Sequence, residues 1–285
     1  MRLKGLACFL IALAAQPALA ASSPALEPLE RQLQTLAAQR PGNVGIAALD
    51  LKTGELIGVA PDEPFPMAST VKIAVAANYL AQVEHGRRTL DRQIGGVSAA
   101  RLMDAMMTRS DNHATDLLLR DLGGPATVQA WLRQQGLEGL RIDRNIARLL
   151  ADKRDLSDIR DSSTPRAMVD LLKRIDQATL LSRSNSDYLL DMMARCRTGK
   201  NRIRALLPSG TPVQNKTGTL NRYSSDVGFI TLPDGRRLAV AFFARNTNNG
   251  PSTIAWAART VYDGFVRVMQ MPFTYRAAAG SYASN

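Results

Sequence analysis

The chain has 285 residues, of which 45% are hydrophobic and 21% are charged. This composition is typical of a globular protein, and it excludes a collagen-like chain, a disordered chain and a small disulfide-stabilised domain. Lys and Arg outnumber Asp and Glu to give a formal net charge of +11, which favours anionic partners in general. The length fits one large domain or two interleaved lobes with a sizeable core.

The N-terminal segment has the three parts of a secretory signal. A positive start, a short apolar stretch and a small-residue cleavage site are formed by Arg2 and Lys4, Leu6 to Ala15, and Ala18-Leu19-Ala20. We therefore expect residues 1–20 to be a signal peptide, residues 21–285 to be the mature domain, and the mature protein to be periplasmic or secreted. No later window offers ~18 uninterrupted apolar residues, so we expect no stable membrane span.

Hydrophobic spacing and breaker residues predict the other elements in chain order. The first are a helix over 26–39, a strand hairpin over 43–51 and 56–60, a helix over 71–83 and several helices over 98–135. Residues 141–164 are rich in charge without a clear period, which is typical of a long functional loop. Helices over 165–175 and 186–193, strands over 211–218, 226–232 and 237–245, and a helix over 251–269 follow.

The predicted strands lie near both ends of the chain, and the helices lie between them. The simplest arrangement joins the two ends in one antiparallel sheet. We therefore expect an α+β fold with a sheet lobe (about 21–66 and 208–285) and an all-helical lobe (about 67–207). A cleft between two such lobes is a natural place for a binding site.

One candidate catalytic motif is Ser69-Thr70-Val71-Lys72, at the start of a predicted helix. A separation of three residues puts the hydroxyl and the amine on one helical face. Burial would lower the pKa of Lys72 enough for the amine to accept the proton of Ser69. Backbone amides at the helix N-terminus could also stabilise a developing oxyanion. Taken alone, the motif is better explained by a capping serine followed by an exposed lysine.

Two further motifs supply groups for proton transfer and substrate binding that the Ser69 to Lys72 motif does not contain. Ser110-Asp111-Asn112 lies in the helical region, and Lys216-Thr217-Gly218 ends a predicted strand. They add a hydroxyl that can relay a proton to a leaving nitrogen, an amide that can hold a substrate amide, and a cation for a substrate carboxylate. We expect Ser69, Lys72, Ser110 and Lys216 to converge on one cleft.

The three motifs resemble those of the penicillin-recognising serine enzymes, and class A β-lactamases most closely. The likeness covers nearly the whole mature chain, at Phe65 to Lys72, Ser110 to Asn112, Leu117 to Leu119, Arg160 to Pro165 and Lys216 to Thr219. It implies a β-lactamase/transpeptidase-like fold and a penicillin-binding serine hydrolase associated with antibiotic resistance. The implied substrate is a small β-lactam or a peptidoglycan stem peptide, handled without a cofactor.

The resemblance also implies how acylation would proceed. Ser69 would be acylated, Lys72 would activate it, and Ser110 would shuttle the proton. The backbone amides of Ser69 and Thr219 would form the oxyanion hole.

Other matching positions imply roles in binding and in loop structure. Asn112 would contact the acylamide of the substrate, and Lys216 and Thr217 would bind its carboxylate. Arg144 and Asp161 match the ion pair that fixes the long loop of the family.

The chain departs from the resemblance within this loop. In class A enzymes a glutamate lies two residues after the position of Arg144 and an asparagine lies four residues further on, and together they hold the water that hydrolyses the acyl-enzyme. Here those positions are Ile146 and Leu150, or Arg148 and Asp152 if the loop is aligned from Arg160-Asp161. Residues 141–164 contain no Glu, so the base is absent or is an Asp. Asp152 is the first candidate, whereas we interpret Asp143, Asp155 and Asp158 as loop structure.

Three hypotheses for the activity follow. In the first, β-lactams acylate Ser69 and release is slow. In the second, the protein is a D-Ala-D-Ala peptidase or transpeptidase acting on peptidoglycan. The segment from Ser69 to Ser110 is shorter than the resemblance implies, which predicts an open cleft that suits such a substrate. In the third, the protein is a non-catalytic sensor of β-lactams or wall fragments. Retention of Ser69, Lys72, Ser110 and Lys216 favours an enzyme.

The remaining reactive residues do not suggest a second site. His85 and His113 are the only histidines, and no Cys/His cluster has metal-ligand spacing, so we expect no zinc. Cys196 is the one cysteine of the expected mature chain, and we interpret it as a small apolar side chain.

A basic run includes Arg195, Arg197, Lys200, Arg202 and Arg204. No aromatic residues interleave with it as a stacking platform would require, so we interpret it as a solvated surface and expect no nucleic-acid partner. We expect the protein to be a monomer.

Overall fold

A five-stranded antiparallel sheet is the framework of the described part of the chain. The structure is a computed structural model, and it describes residues 23–152 and 155–270; the predicted signal peptide lies outside these residues. The strands are β1 (Asn43–Asp50), β2 (Leu56–Val59), β3 (Phe65–Pro66), β4 (Gln93–Ile94), β5 (Val97–Ser98), β6 (Ser162–Ser163), β7 (Val213–Leu220), β8 (Tyr223–Thr231) and β9 (Arg237–Arg245).

Most of the described helices lie in sequence between the second and the seventh strand. They are α1 (Glu27–Ala38), α2 (Lys72–Glu84), α3 (Ala99–Thr108), α4 (Asn112–Leu122), α5 (Pro125–Gln134), α6 (Ile146–Ala151), α7 (Pro165–Asp176), α8 (Arg183–Ala194) and α9 (Gly250–Gln270). Short 3₁₀ turns occupy Ala68–Val71 and Ile203–Ala205. None of the described helices is both long enough and apolar enough to cross a bilayer.

The sheet joins the two ends of the described chain. Its strand order is β2-β1-β9-β8-β7, with antiparallel pairing throughout. β1 pairs with β9 along its whole length, so that Ile46 lies opposite Phe242. The prediction that strands from both ends form one antiparallel sheet is confirmed. The proposed lobe boundaries stay a prediction.

Two hydrophobic cores lie on opposite faces of the sheet. Successive side chains of a strand point to opposite faces, and the residues of β9 divide accordingly. Leu238, Val240 and Phe242 join the core that contains residues of α1 and α9. Ala239, Ala241 and Phe243 join the core shared with the central helices. The sheet is therefore held by apolar burial on both faces, at roughly 1.5–3 kcal/mol for each large side chain that is fully buried.

Helix α2 lies at the centre of the helical part. Its residues from Lys72 to Ala81 are all buried, and it contacts α3, α4, α5 and α8. The 3₁₀ turn before it packs against β7. The start of α2 is therefore held where the helices meet the edge of the sheet.

The segment predicted as a loop contains short elements that the sequence pattern did not indicate. α6 follows Asn145, whose side chain accepts a hydrogen bond from the Arg148 amide at 2.9 Å. β6 pairs with β3, so that Ser163 lies opposite Phe65. A helix of one to two turns and a two-residue strand are too short to produce a readable period, and both depend on contacts with distant residues.

Candidate active site

Ser69 lies in the 3₁₀ turn between β3 and α2, and Lys72 is the first residue of α2. Ser69 is half-buried, whereas the Lys72 side chain is fully buried. Ala68, immediately before the serine, has a φ of +49°. A non-glycine residue in the left-handed region is strained, and such strain is concentrated at functional sites.

Gly218 allows β7 to approach this turn closely. A β-carbon at position 218 would lie 2.7 Å from the carbonyl oxygen of Met67 and 3.0 Å from the β-carbon of Ala68. Only glycine leaves space for this contact. The close approach places the strand that carries Lys216 and Thr217 beside the turn that carries Ser69.

The Lys72 ammonium is held by three acceptors from the start of α4. Its Nζ donates to the Ser110 carbonyl oxygen at 2.7 Å, to Ser110 Oγ at 3.1 Å and to Asn112 Oδ1 at 2.7 Å. Burial, followed by the charge of Lys216, lowers the pKa of Lys72 to about 7, although the carboxylates of Asp111 and Asp116 oppose that shift. A lysine with this pKa can serve as a proton acceptor near neutral pH.

Lys216 also donates a hydrogen bond to the Ser110 hydroxyl. Its Nζ donates to Ser110 Oγ at 2.9 Å and to the Thr217 carbonyl oxygen at 2.9 Å. The side chain is fully buried, and this burial lowers the pKa of Lys216 to about 8. At neutral pH Lys216 therefore remains largely a cation, as a carboxylate-binding group must.

Local backbone geometry positions the Ser110 hydroxyl. Ser110 has a φ of +60° and precedes Asp111, whose carboxylate caps α4 by accepting from the Ala114 amide at 2.7 Å. This cap fixes Asn112 as the first helical residue, with its side chain on Lys72. Lys72, Ser110, Asn112 and Lys216 are thus joined directly by hydrogen bonds.

The two threonines after Lys216 have different partners. The Thr217 hydroxyl lies 2.6 Å from that of Thr198, which in turn lies 3.3 Å from the Cys196 sulfur. The Cys196 side chain therefore has a polar neighbour on one side rather than purely apolar surroundings. The Thr219 hydroxyl accepts from Nη2 of Arg202 at 2.7 Å.

The interpretation of the whole basic run as a solvated surface is wrong at Arg202. This side chain is buried and donates to the carbonyl oxygens of Gly218 and Ser225, both at 2.8 Å. Two strands present acceptors to it, so the charge has partners without contact with water. The sequence pattern does not predict the burial of Arg202, because its acceptors come from residues 16 and 23 positions later in the chain.

Arg144 and Asp161 form a buried ion pair across the long loop. Arg144 Nε donates to Asp161 Oδ2 at 2.6 Å, and the two side chains are 4% and 2% exposed. The other carboxylate oxygen accepts from the backbone amides of Asp143 and Arg144, at 2.8 and 2.9 Å. The loop is also tied to the nucleophile turn, since the Met67 amide donates to the Asp161 carbonyl oxygen at 2.9 Å.

The resemblance implies a glutamate and an asparagine in the loop, and the two alignments place them at two different pairs of positions. Of the four residues at these positions, only Asp152 has a carboxylate. Ile146 is buried in the core, whereas Leu150 is 56% exposed. Arg144 Nη1 donates to Asp152 at 2.7 Å, and this hydrogen bond lowers the pKa of Asp152. A paired carboxylate with a lowered pKa is a weak base.

Asp116 is a site residue that the motifs did not identify. It lies on α4 one helical turn after Asn112, and its carboxylate accepts from the backbone amides of Ile146 and Ala147 at 2.7 and 2.9 Å. The spacing of four residues from Asn112 is the signal that could have identified it, because residues i and i+4 share a helix face.

The loop and the end of β7 enclose a cavity of about 520 Å³. Its lining includes Leu149, Leu150, Asp152, Thr219 and Leu220. A substrate that reached the Thr219 end of β7 would therefore contact the loop.

Comparison with known proteins identifies a matching family and related sequences. Residues 28–265 match the model of a family described as the β-lactamase enzyme family. The carbapenem-hydrolysing β-lactamase KPC of Klebsiella oxytoca is 30% identical over 288 residues, covering 92% of this chain and 96% of that protein. The extended-spectrum β-lactamase PER-1 of Pseudomonas aeruginosa is 29% identical over 267 residues, covering 82% and 86%.

Solved structures have the same architecture. A variant of the last common ancestor of the class A β-lactamases of Gram-negative bacteria superposes with a TM-score of 0.80 at 33% identity, covering 84% of this chain and 99% of that chain. A β-lactamase from Chitinophaga pinensis superposes with a TM-score of 0.78 at 27% identity, again covering 84% and 99%. The predicted α+β fold class is confirmed.

Proposed function

The chain belongs to the β-lactamase enzyme family, as a relative of the class A serine hydrolases, and we propose that it is an exported enzyme whose Ser69 is acylated by β-lactams and deacylated slowly. One contrast carries the proposal. Lys72 and Lys216, which the resemblance implies for acylation, both donate to the Ser110 hydroxyl, whereas the loop position implied for the deacylating glutamate holds Ile146, or Arg148 if the loop is aligned from its other end.

The acylation half follows from the positions of the two lysines. Neutral Lys72 accepts the proton of Ser69, whose oxygen attacks the carbonyl carbon of the lactam ring. The ring C–N bond then breaks, and Ser110 passes a proton from Lys72 to the departing nitrogen. Backbone amides of Ser69 and Thr219 hold the oxyanion. Lys216 and Thr217 bind the substrate carboxylate, which is held in place by a buried cation.

The deacylation half lacks its usual group. Hydrolysis of the ester needs a water molecule and a positioned base, and loss of such a base typically costs ~10² to 10⁴ in rate. Asp152 is a poor replacement because Arg144 pairs with it. The covalent adduct on Ser69 should therefore accumulate.

Export is supported by the sequence of residues 1–20, with its positive start, apolar stretch and small-residue cleavage site. An enzyme exported in this way meets β-lactams and peptidoglycan outside the cytoplasm. Signal removal is checked by measuring the mass of the protein purified from the periplasm or medium of an expressing bacterium, which should begin at residue 21.

Intact-mass analysis with benzylpenicillin tests the chemistry. The protein should gain the mass of one whole drug molecule within minutes, and Ser69→Ala should gain none. The adduct should persist far longer than on a class A enzyme run in parallel.

Rapid turnover without an adduct would contradict slow deacylation. Neither adduct nor product would contradict the proposed enzyme and leave the sensor hypothesis. Release of D-alanine from a D-alanyl-D-alanine peptide, without penicillin hydrolysis, would instead favour the peptidase.

A further inference from the structure

The carboxylate of Asp116 lies between the catalytic helix α4 and the start of α6. One oxygen accepts from the Ile146 amide at 2.7 Å, and the other accepts from the Ala147 amide at 2.9 Å. Ile146 occupies one of the two positions at which the resemblance, depending on the alignment of the loop, implies the glutamate. A carboxylate is thus present at the start of α6, but it is supplied by α4 instead of the loop.

The same carboxylate lies on the Lys72 side of α4. Asp116 and Asn112 are four residues apart and share a helix face, and Asn112 Oδ1 accepts from Lys72 Nζ at 2.7 Å. The negative charge of Asp116 also acts on Lys72, where it opposes the larger effect of burial on the lysine pKa. Asp116 is therefore close to the lysine and to the loop at once.

All but one of the aspartates of the described loop pair with arginines. Asp143 pairs with Arg141, Asp152 and Asp161 pair with Arg144, and Asp158 pairs with Arg160. Asp155 accepts from the Ser157 amide at 2.9 Å. Asp116 likewise forms no ion pair with a Lys or Arg in residues 23–152 and 155–270, and its hydrogen-bond donors are neutral backbone amides. Unlike Asp155, it lies on the helix that carries Asn112.

We propose that Asp116 replaces the absent loop glutamate and activates the water that hydrolyses the acyl-enzyme. The inference rests on the proposed function, since it needs an ester on Ser69. Each carboxylate oxygen has two lone pairs, so an oxygen that accepts one amide can still accept a water proton. Competition between the backbone amides and the water for these oxygens keeps the reaction slow.

The reaction balances with water as the only co-reactant. The water oxygen bonds to the ester carbonyl carbon while its proton passes to Asp116. Collapse of the tetrahedral intermediate breaks the bond between that carbon and Ser69 Oγ. The serine oxygen takes back a proton, the opened drug leaves as a carboxylic acid, and Asp116 returns to its ionised form.

The test follows the lifetime of a preformed adduct. Wild-type protein and Asp116→Asn are acylated with benzylpenicillin, separated from free drug and sampled by intact mass. Acylation should proceed at a similar rate in both, while the adduct should last ~10² to 10⁴ times longer in Asp116→Asn, as expected for the loss of a positioned base. Asp152→Asn tests the rival base in the same way, and Asp62→Asn, at an exposed carboxylate that pairs with Arg166, is the control whose adduct should decay as in the wild type.

The melting temperature of Asp116→Asn shows whether this variant folds, and a second variant tests the role of Asp116 independently. Asp116→Ser keeps an oxygen that can accept an amide hydrogen at the start of α6, and it should show the same long lifetime. Added formate should shorten that lifetime in Asp116→Ser, because a small carboxylate can occupy the vacated space, and should leave the wild type unchanged.

Three results would overturn the inference. The first is an unchanged lifetime in a folded Asp116 variant, and the second is a lengthened lifetime in Asp152→Asn alone. The third is a wild-type adduct that never decays, because then no deacylating base operates. Failure of the proposed function is distinct from all three, since wild-type protein would then form neither adduct nor product and both proposals would fall.

Discussion

Lys72 and Lys216 donate to the same Ser110 hydroxyl, at 3.1 and 2.9 Å. Two ammonium groups on one oxygen repel each other, and burial adds a cost to each charge. Burial, with the charge of Lys216 beside it, lowers the pKa of Lys72 to about 7, and burial lowers the pKa of Lys216 to about 8. The two lysines can therefore have different roles, Lys72 as the proton acceptor and Lys216 as the cation that binds the substrate carboxylate.

This division predicts a bell-shaped pH dependence for acylation. Below about pH 7 Lys72 is protonated and cannot accept the Ser69 proton, so the rate should rise with pH up to that value. Above about pH 8 Lys216 loses its charge and the substrate carboxylate loses its partner, so the rate should fall. The second-order rate of adduct formation, measured from pH 5 to 10, checks both limbs.

Lys216→Ala provides the control for that profile. The upper limb should disappear, since the group responsible for it is gone. The lower limb should move to higher pH, because the charge of Lys216 helps to lower the pKa of Lys72. A wild-type profile that is flat across this range would contradict the assignment of Lys72 as the proton acceptor.

A second prediction concerns Arg202, whose guanidinium holds Gly218, Thr219 and Ser225 at once. One ammonium cannot reproduce that planar set of donors. Arg202→Lys should lower the second-order acylation rate by about 10- to 100-fold, corresponding to about 1.5–3 kcal/mol for hydrogen bonds to a charged group. Adduct formation at several drug concentrations measures the change.

Arg197→Lys is the matched control, because Arg197 is an exposed residue of the same basic run. Its acylation rate should equal that of the wild type. If Arg202→Lys also acylates normally, Arg202 does not position Thr219 for the reaction.

The sequence predicted those parts of the site that depend only on neighbouring residues in the chain. Lys72 lies at the start of α2 and Lys216 lies in β7, as the hydrophobic pattern around each motif predicted. The ion pair between Arg144 and Asp161 also forms as the resemblance implied. The catalytic and binding roles stay predictions until activity is measured, for Ser69, Lys72, Ser110, Asn112, Lys216, Thr217 and Thr219 alike.

Residues that depend on distant partners could not be read in the same way. Arg202 is buried because two strands that follow it in the chain provide carbonyl acceptors. Asp116 caps a helix that begins 30 residues later. In each case the partners lie far away in the sequence, so the neighbouring residues do not reveal the role of the side chain.

The close approach at Gly218 gives a third prediction. A methyl group there would lie 2.7 Å from the Met67 carbonyl oxygen, and backbone atoms cannot move aside as a flexible side chain can. Gly218→Ala should push β7 away from the Ser69 turn and slow acylation strongly. Adduct formation and melting temperature should both be recorded.

Gly235→Ala separates this effect from a general loss of stability. Gly235 has a φ of +83° and open space around it, so its substitution should lower the melting temperature through backbone strain and leave acylation unchanged. Equal acylation by Gly218→Ala and Gly235→Ala would show that the approach of β7 does not set the site geometry.

The last prediction compares two ion pairs of unequal burial. Asp161→Ala leaves Arg144 as a buried charge without its main partner and also removes the acceptor of two backbone amides. Removing one partner of a buried pair typically costs about 3–5 kcal/mol, so the melting temperature should fall clearly. Asp62→Ala is the matched control, because it breaks the Arg166 pair at a carboxylate that is 68% exposed. Exposed pairs contribute about 0–1 kcal/mol, so this variant should melt close to the wild type, and equal melting of the two variants would contradict a stabilising role for the buried pair.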